Sequence, residues 1–375
     1  MKKHSRNTAG RCIAAAVFLA FAVPALADDD RFTVHGFGNQ DYSKSSANSF
    51  EQSGGSGTWD NNFLGLVGSA KISDESKLWA QLQATTTETV RFTWMFVDFQ
   101  VSENLSAHVG RVKFPWGIYN EYIDTRALQF SVGKPLAYAT EADLAYDAYD
   151  GAGIDYNLDM GSKGKLTLQG FYGNIFSAPD PLYTPPYPDQ YQMGNLEAIT
   201  NDKHVIGGKI TWETPIDGLR LLVSANRTKL VTTADSGQIP DQQGEEDRYI
   251  LSVDYVNDWL DLKSEYNSHK YPGLTGYQDE KSRAWYVQAG FPLGKWTPYT
   301  RYDSVVTDKN QSSDPSFFQR TVVIGINRKL STNLNFRIEE NFNHGYALPV
   351  AAGETLAGTG KVNWQLLAAQ INFMF

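Results

Sequence analysis

Beyond residue 27 the chain contains no cysteine; Cys12 is the only one. Disulfides, thiolate nucleophiles and cysteine-ligated metals are thereby excluded from everything downstream. Long apolar runs are missing too. After residue 27 no stretch approaches the ~18 residues that a helix needs to cross hydrocarbon, and mean hydropathy is −0.40. Helical membrane spans are excluded on that ground. Positive charge is scarce: 33 Lys and Arg stand against 42 Asp and Glu, a net charge of −9. Such a balance offers no basic footprint for nucleic acid. The histidines His35, His108, His204, His269 and His344 are scattered singly, without metal-ligand spacing and without a nucleophile motif. No enzyme activity and no cofactor are expected.

The N-terminus has the grammar of an export signal. Lys2, Lys3, Arg6 and Arg11 precede an apolar run of 11 residues, Ile13 to Val23, and Pro24-Ala25-Leu26-Ala27 closes it before Asp28-Asp29-Asp30. A basic head, a short apolar centre and a small-residue site predict a signal peptide over 1–27, cleaved after Ala27. Its removal takes away four basic and no acidic residues, so the remainder, 28–375, carries a net charge of −13.

What is abundant is aromatic: 20 Tyr, 20 Phe and 9 Trp, 13% of the chain. A chain polar on average yet rich in aromatics suits a barrel with a wet interior and aromatic girdles at the membrane boundaries. Period-two alternation recurs in segments of about ten residues, as that fold requires. In the last one Leu367, Ala369, Ile371, Phe373 and Phe375 share a face, opposite Gln370 and Asn372. Similar alternation starts at Leu78, Leu219, Leu260, Val322 and Leu334. Sixteen strands are predicted: 31–42, 60–72, 76–86, 89–101, 105–113, 151–159, 164–174, 203–213, 218–229, 247–257, 259–270, 282–291, 295–305, 318–329, 332–343 and 361–375. Connections alternate short and long, with a short exception at Thr87-Glu88. Alternation alone would also fit a soluble sandwich; short turns at one end and long loops at the other favour an all-β, antiparallel transmembrane barrel. Sixteen strands enclose more space than side chains fill, so an aqueous channel is implied.

The longest connection, 114–150, is the third on the long-loop side. It is expected to fold inward as a constriction, because loops of that length rarely stand idle. Arg111, Lys113 and Arg126 oppose Glu121 and Asp124 in and beside it, which would set a transverse field at the narrowest point. Charges on predicted inward faces form a second set: Arg220, Asp254, Lys263, Glu265, Arg301, Asp303, Arg337 and Glu339. An Arg facing lipid at the midplane costs roughly 2–4 kcal/mol, which argues that these line the lumen. Girdle candidates are Phe32, Trp79, Tyr255, Trp259, Trp296, Tyr302 and Phe375. The segment 175–202 holds Pro179, Pro181, Pro185, Pro186 and Pro188 among tyrosines and reads as a partly stiff surface loop.

The run GRVKFPWGIYNE at 110–121, with YDGAG at 149–153 before the next strand, resembles proteobacterial porins related to the phosphate-selective porins O and P. The resemblance implies a homotrimeric outer-membrane channel, narrowed by its third loop. It carries Arg111, Lys113, Tyr119, Asn120 and Glu121 over as constriction residues, and Phe375 as the terminal residue recognised by the barrel insertion machinery. The strands show no dense ladder of Arg and Lys of the sort anion selectivity would use. The reading is passive diffusion of small hydrophilic solutes and ions, with lipid and lipopolysaccharide as surroundings. A substrate-specific channel or a loop-mediated receptor or adhesin are the alternatives.

Overall fold

In a computed structural model, sixteen antiparallel strands close on themselves, each hydrogen-bonded to its sequence neighbours and the first to the last. Residues 31–50, 55–59, 62–85, 90–122, 125–138, 148–177, 199–234, 242–271, 280–348 and 360–375 are described. The strands are β1 Phe32–Ser45, β2 Phe63–Lys71, β3 Ser76–Thr85, β4 Arg91–Ser102, β5 Leu105–Lys113, β6 Ala148–Asp159, β7 Lys165–Ser177, β8 Ile199–Glu213, β9 Leu219–Ala234, β10 Gln242–Val256, β11 Asp261–Tyr271, β12 Glu280–Gly290, β13 Trp296–Val306, β14 Phe318–Ser331, β15 Leu334–Gly345 and β16 Asn363–Met374. The expected leader over 1–27 lies outside the described residues, as do Thr87-Glu88 and the proline-rich part of 175–202.

Closure is made by β1 and β16. Gly36 and Phe375 exchange both backbone hydrogen bonds, at 2.7 and 2.8 Å. Inside the seam, Gln370 donates to Asp41 at 2.9 Å, and Asn39 donates to the other oxygen of the same carboxylate. The sheet therefore presents no free edge, the condition a spanning sheet must meet in hydrocarbon. Both termini of the sheet lie at the short-turn end. One of those turns needs its glycine: Gly218 has φ 74°, and a Cβ there would sit 1.9 Å from the Val256 carbonyl.

The two faces differ sharply. Outward positions such as Ile206, Val223, Leu251 and Ile324 are exposed, whereas the inward Lys209, Ser224, Ser252 and Thr321 are buried. An exposed apolar exterior around a polar interior inverts the soluble pattern, and lipid is the solvent that stabilises it. Of the girdle candidates, Phe32, Trp259, Trp296, Tyr302 and Phe375 are exposed. Trp79 is a correction: it pairs with Ser69 and Phe96 in register, and shares the inward face with Gln81.

Several strands run further toward the long loops than alternation suggests. β8 starts at Ile199 instead of 203, β9 ends at Ala234 instead of 229, and β10 begins at Gln242 instead of 247. Backbone pairing, which alternation does not report, continues there: Thr232 stands opposite Asn201 on one side and Gln242 on the other. For the same reason β6 begins at Ala148, which moves Asp150 out of the expected loop and into a strand.

An arginine at outward-facing Ile324 should lower barrel stability in lipid vesicles by about 2–4 kcal/mol. The same change at inward-facing Asn327 should cost far less. Urea unfolding followed by intrinsic fluorescence checks both.

Candidate functional site

The third long connection packs against side chains on the inward face of the wall. It leaves β5 through Phe114, Pro115 and Trp116, and turns at Gly117, whose φ is 51°. A Cβ at Gly117 would lie 2.2 Å from the Tyr138 hydroxyl and 2.4 Å from Glu265 Oε1, so only glycine fits. Short 3-10 turns follow at Tyr119–Glu121, Arg126–Leu128 and Leu136–Tyr138. Phe114, Trp116, Ile118, Tyr119, Val132, Leu136 and Tyr138 are all buried. Phe114 packs on Tyr149 and Phe171 of the wall, at centroid distances of 5.8 and 4.8 Å.

Two carboxylates anchor the loop. Glu265 on β11 accepts four hydrogen bonds: from Ile118 N at 2.6 Å, Ser252 Oγ at 2.7 Å, and the hydroxyls of Tyr138 and Tyr286 at 2.7 and 2.8 Å. Glu339 on β15 also accepts four: Val132 N at 2.8 Å, Gly133 N at 3.1 Å, Tyr299 OH at 2.8 Å and Asn341 Nδ2 at 3.1 Å. A buried carboxylate is tolerable only when its lone pairs are so occupied. Burial, and then the adjacent Glu265 charge, push the Tyr138 hydroxyl well above its ordinary pKa, so it stays a donor.

Cations hold the loop's carbonyls in the complementary way. Arg301 donates to Gly133 O at 2.8 Å and Lys134 O at 3.2 Å, and its Nε bonds Asp303 at 2.7 Å. Asp303 in turn accepts from Leu136 N at 3.0 Å. Arg337 donates to Arg126 O at 2.8 Å. Thus Glu265, Arg301, Asp303, Arg337 and Glu339 point inward but are covered by the loop, with at most 2% of each exposed. This corrects the expectation that they border open lumen. Backbone donors and acceptors of a buried loop need partners, and these side chains supply them.

A second system stays wetter. Lys209 on β8 donates to Gly117 O at 2.9 Å and to Glu121 Oε1 at 2.5 Å. The other Glu121 oxygen lies 3.5 Å from Arg220, which bonds Asp254 at 2.6 Å. Asp254 is 3.3 Å from Lys263, and Lys263 also pairs with Asp261. The result is a row of three cations and three anions in alternation, from β8 to β11. Lys209 was missed by the sequence reading, although its parity with inward Gly207 and opposite outward Ile206 and Ile210 carried the signal.

The remaining expected constriction residues fare variously. Arg111 is on the outward face, opposite Met95, 3.6 Å from its register partner Asp150. It is a correction: the motif and its place beside the loop pointed to the constriction, whereas strand parity puts it on the other side of the wall. Lys113 lies at the end of β5 and donates to the Glu121 carbonyl at 3.3 Å. Tyr119 and Asn120 are buried within the loop, bonding Gln129 and the Phe114 carbonyl, so they shape the loop and do not face open lumen. Arg126 donates to Val132 O at 3.2 Å. Asp124 lies outside the described residues.

No family model and no curated protein matches the chain. Solved structures do. The anion-selective porin from Comamonas acidovorans superposes with a TM-score of 0.59 at 14% identity, over 92% of this chain and 99% of that one. OmpF of Salmonella typhi, in complex with daunomycin, gives 0.57 at 13%, over 93% and 99%. OmpT, an outer membrane protein of Vibrio cholerae in its trimer form, gives 0.57 at 10%, over 92% and 100%. At this identity the likeness is one of fold. It establishes the porin barrel and does not reach the narrower kinship with porins O and P.

Replacing Glu265 by Leu removes the acceptor of four donors. The backbone N–H groups at 117–119 should lose about 1–3 kcal/mol of protection against hydrogen exchange, while those of β13 to β16 keep theirs.

Proposed function

We propose that the protein is an outer-membrane diffusion channel in which the segment 114–138 narrows the lumen and the charges around Glu121 sort what passes. One observation carries this reading: the closed barrel has an apolar exterior, and its interior keeps charged groups within reach of water. Glu121 and Arg220 retain 35% and 32% side-chain exposure, whereas Lys209 behind them retains 2%. Opposed charges at a narrowing act on ions through their field and on neutral solutes through size.

In this reading the chain performs no catalysis. It is exported by cleavage after Ala27, inserted with Phe375 as its terminal signal, and assembled as a homotrimer among lipid and lipopolysaccharide. The GRVKFPWGIYNE resemblance points to the porin O and P group, but the alternating row from Lys209 to Asp261 is balanced and offers phosphate no net positive charge.

Reconstituted in a planar bilayer, the protein should give stepwise conductance. Glu121→Gln leaves Lys209 and Arg220 with one fewer counter-charge, so the reversal potential in a salt gradient should move toward anions. An unchanged potential would take Glu121 away from the narrowest point.

A further inference from the structure

The charged anchors of the loop lie on β8, β9, β11, β13 and β15, and Phe114 packs on Tyr149 of β6 and Phe171 of β7; the arc from β3 to β6 carries a further set of side chains. We infer that the inward face of β3 to β6 is a stacking site for neutral carbohydrates. The inference rests on the channel reading above and names a solute class for it.

Register places the rings. Trp79 on β3 is opposite Phe96 on β4, and Gln81 is opposite Trp94. Trp79, Phe96 and Trp94 therefore share the inward face, and the rings of Trp94 and Phe96 are 5.8 Å apart. Inward rings elsewhere are engaged by the loop and its anchors: Tyr149 and Phe171 by Phe114, Tyr286 by Glu265 and Tyr299 by Glu339. Trp94 is 8% exposed, and its indole N–H has no hydrogen-bond partner among the described residues.

Polar groups flank the rings. His108 on β5 lies edge-on to Phe96 at 5.7 Å. Its Nδ1 is 3.1 Å from Asp98 and its Nε2 3.0 Å from Asp155. Both carboxylates keep exposure on their remaining surface, 32% and 25%. The Lys77 ammonium is 4.2 Å from the centre of the Trp79 ring.

Flat ring faces beside carboxylate acceptors and an ammonium donor match one chemistry well. The C–H face of a sugar ring packs on an aromatic face, while its hydroxyls donate to Asp98 and Asp155 and accept from Lys77. A solute bearing carboxylate or phosphate would bring a third anion beside Asp98 and Asp155, which face the Lys77 ammonium and the His108 imidazole between them. A purely apolar solute would strip water from these charges without replacing it. The neutral, polyhydroxylated ring is the class that remains.

The test is single-channel recording of the protein in a planar bilayer with maltotriose as probe and sorbitol, which has no ring, at equal osmolality. Maltotriose should interrupt the current and sorbitol should not. Trp79→Ala and Phe96→Ala should each shorten the interruptions by about three- to ten-fold, the weight of one stacked ring. Trp285→Ala, whose ring faces outward on β12, should leave them unchanged. Heat-modifiable gel migration reports folding, and Trp79→Leu replaces a variant that fails to close. A conducting channel that treats both probes alike, or interruptions indifferent to residues 79 and 96, would overturn the inference while the channel reading stands. Absence of conductance from closed barrels would remove both.

Discussion

A peptide group inside hydrocarbon has no water to fall back on, and each unpaired N–H or C=O there costs several kcal/mol. Closure of β1 on β16 is the answer for the sheet. The exchange between Gly36 and Phe375 and the Asn39–Asp41–Gln370 cluster leave no edge unpaired at the seam. Everything else follows from that ring. Its circumference is fixed by sixteen strands, its outside must be apolar, and its inside is too wide for side chains alone to fill.

The same constraint then applies a second time, to the loop. A segment packed inside the barrel brings its own peptide groups into a dry space, where strands cannot pair with it. Carboxylates and guanidinium groups on the wall take over: Glu265 and Glu339 receive backbone N–H groups, while Arg301 and Arg337 reach carbonyls. Such ions would be expensive if left unpaired, but here each is surrounded by partners. The charged residues buried under the loop and those bordering water near Glu121 thus have different tasks, though both sets point inward.

Sequence periodicity located all sixteen strands, because a lipid-facing row of apolar residues has to alternate with a wet one. It went astray where that requirement lapses. β8, β9 and β10 continue past the ends that alternation marks, to Ile199, Ala234 and Gln242. Arg111 was assigned to the constriction by motif and by nearness to the loop, whereas strand parity sets it on the outer face, 3.6 Å from Asp150. Trp79 was assigned by residue type to the girdle, whereas its register partners put it inside. Parity gave the direction of Glu265 or Arg301 but not what would cover them. That depends on contacts such as Ile118 with Glu265, separated by 147 positions in the chain, and local pattern carries no such information.

The most direct test of loop placement is a cross-link. Ser131 Oγ and Gln288 Oε1 are 3.4 Å apart, one on the loop and one on β12. On a Cys12→Ser background the chain has no other thiol, so Ser131→Cys combined with Gln288→Cys provides a single pair. In folded, reconstituted protein a short bifunctional thiol reagent should bridge the two rapidly. Folded barrels in which both thiols react singly and never bridge would contradict a loop held against the inner wall.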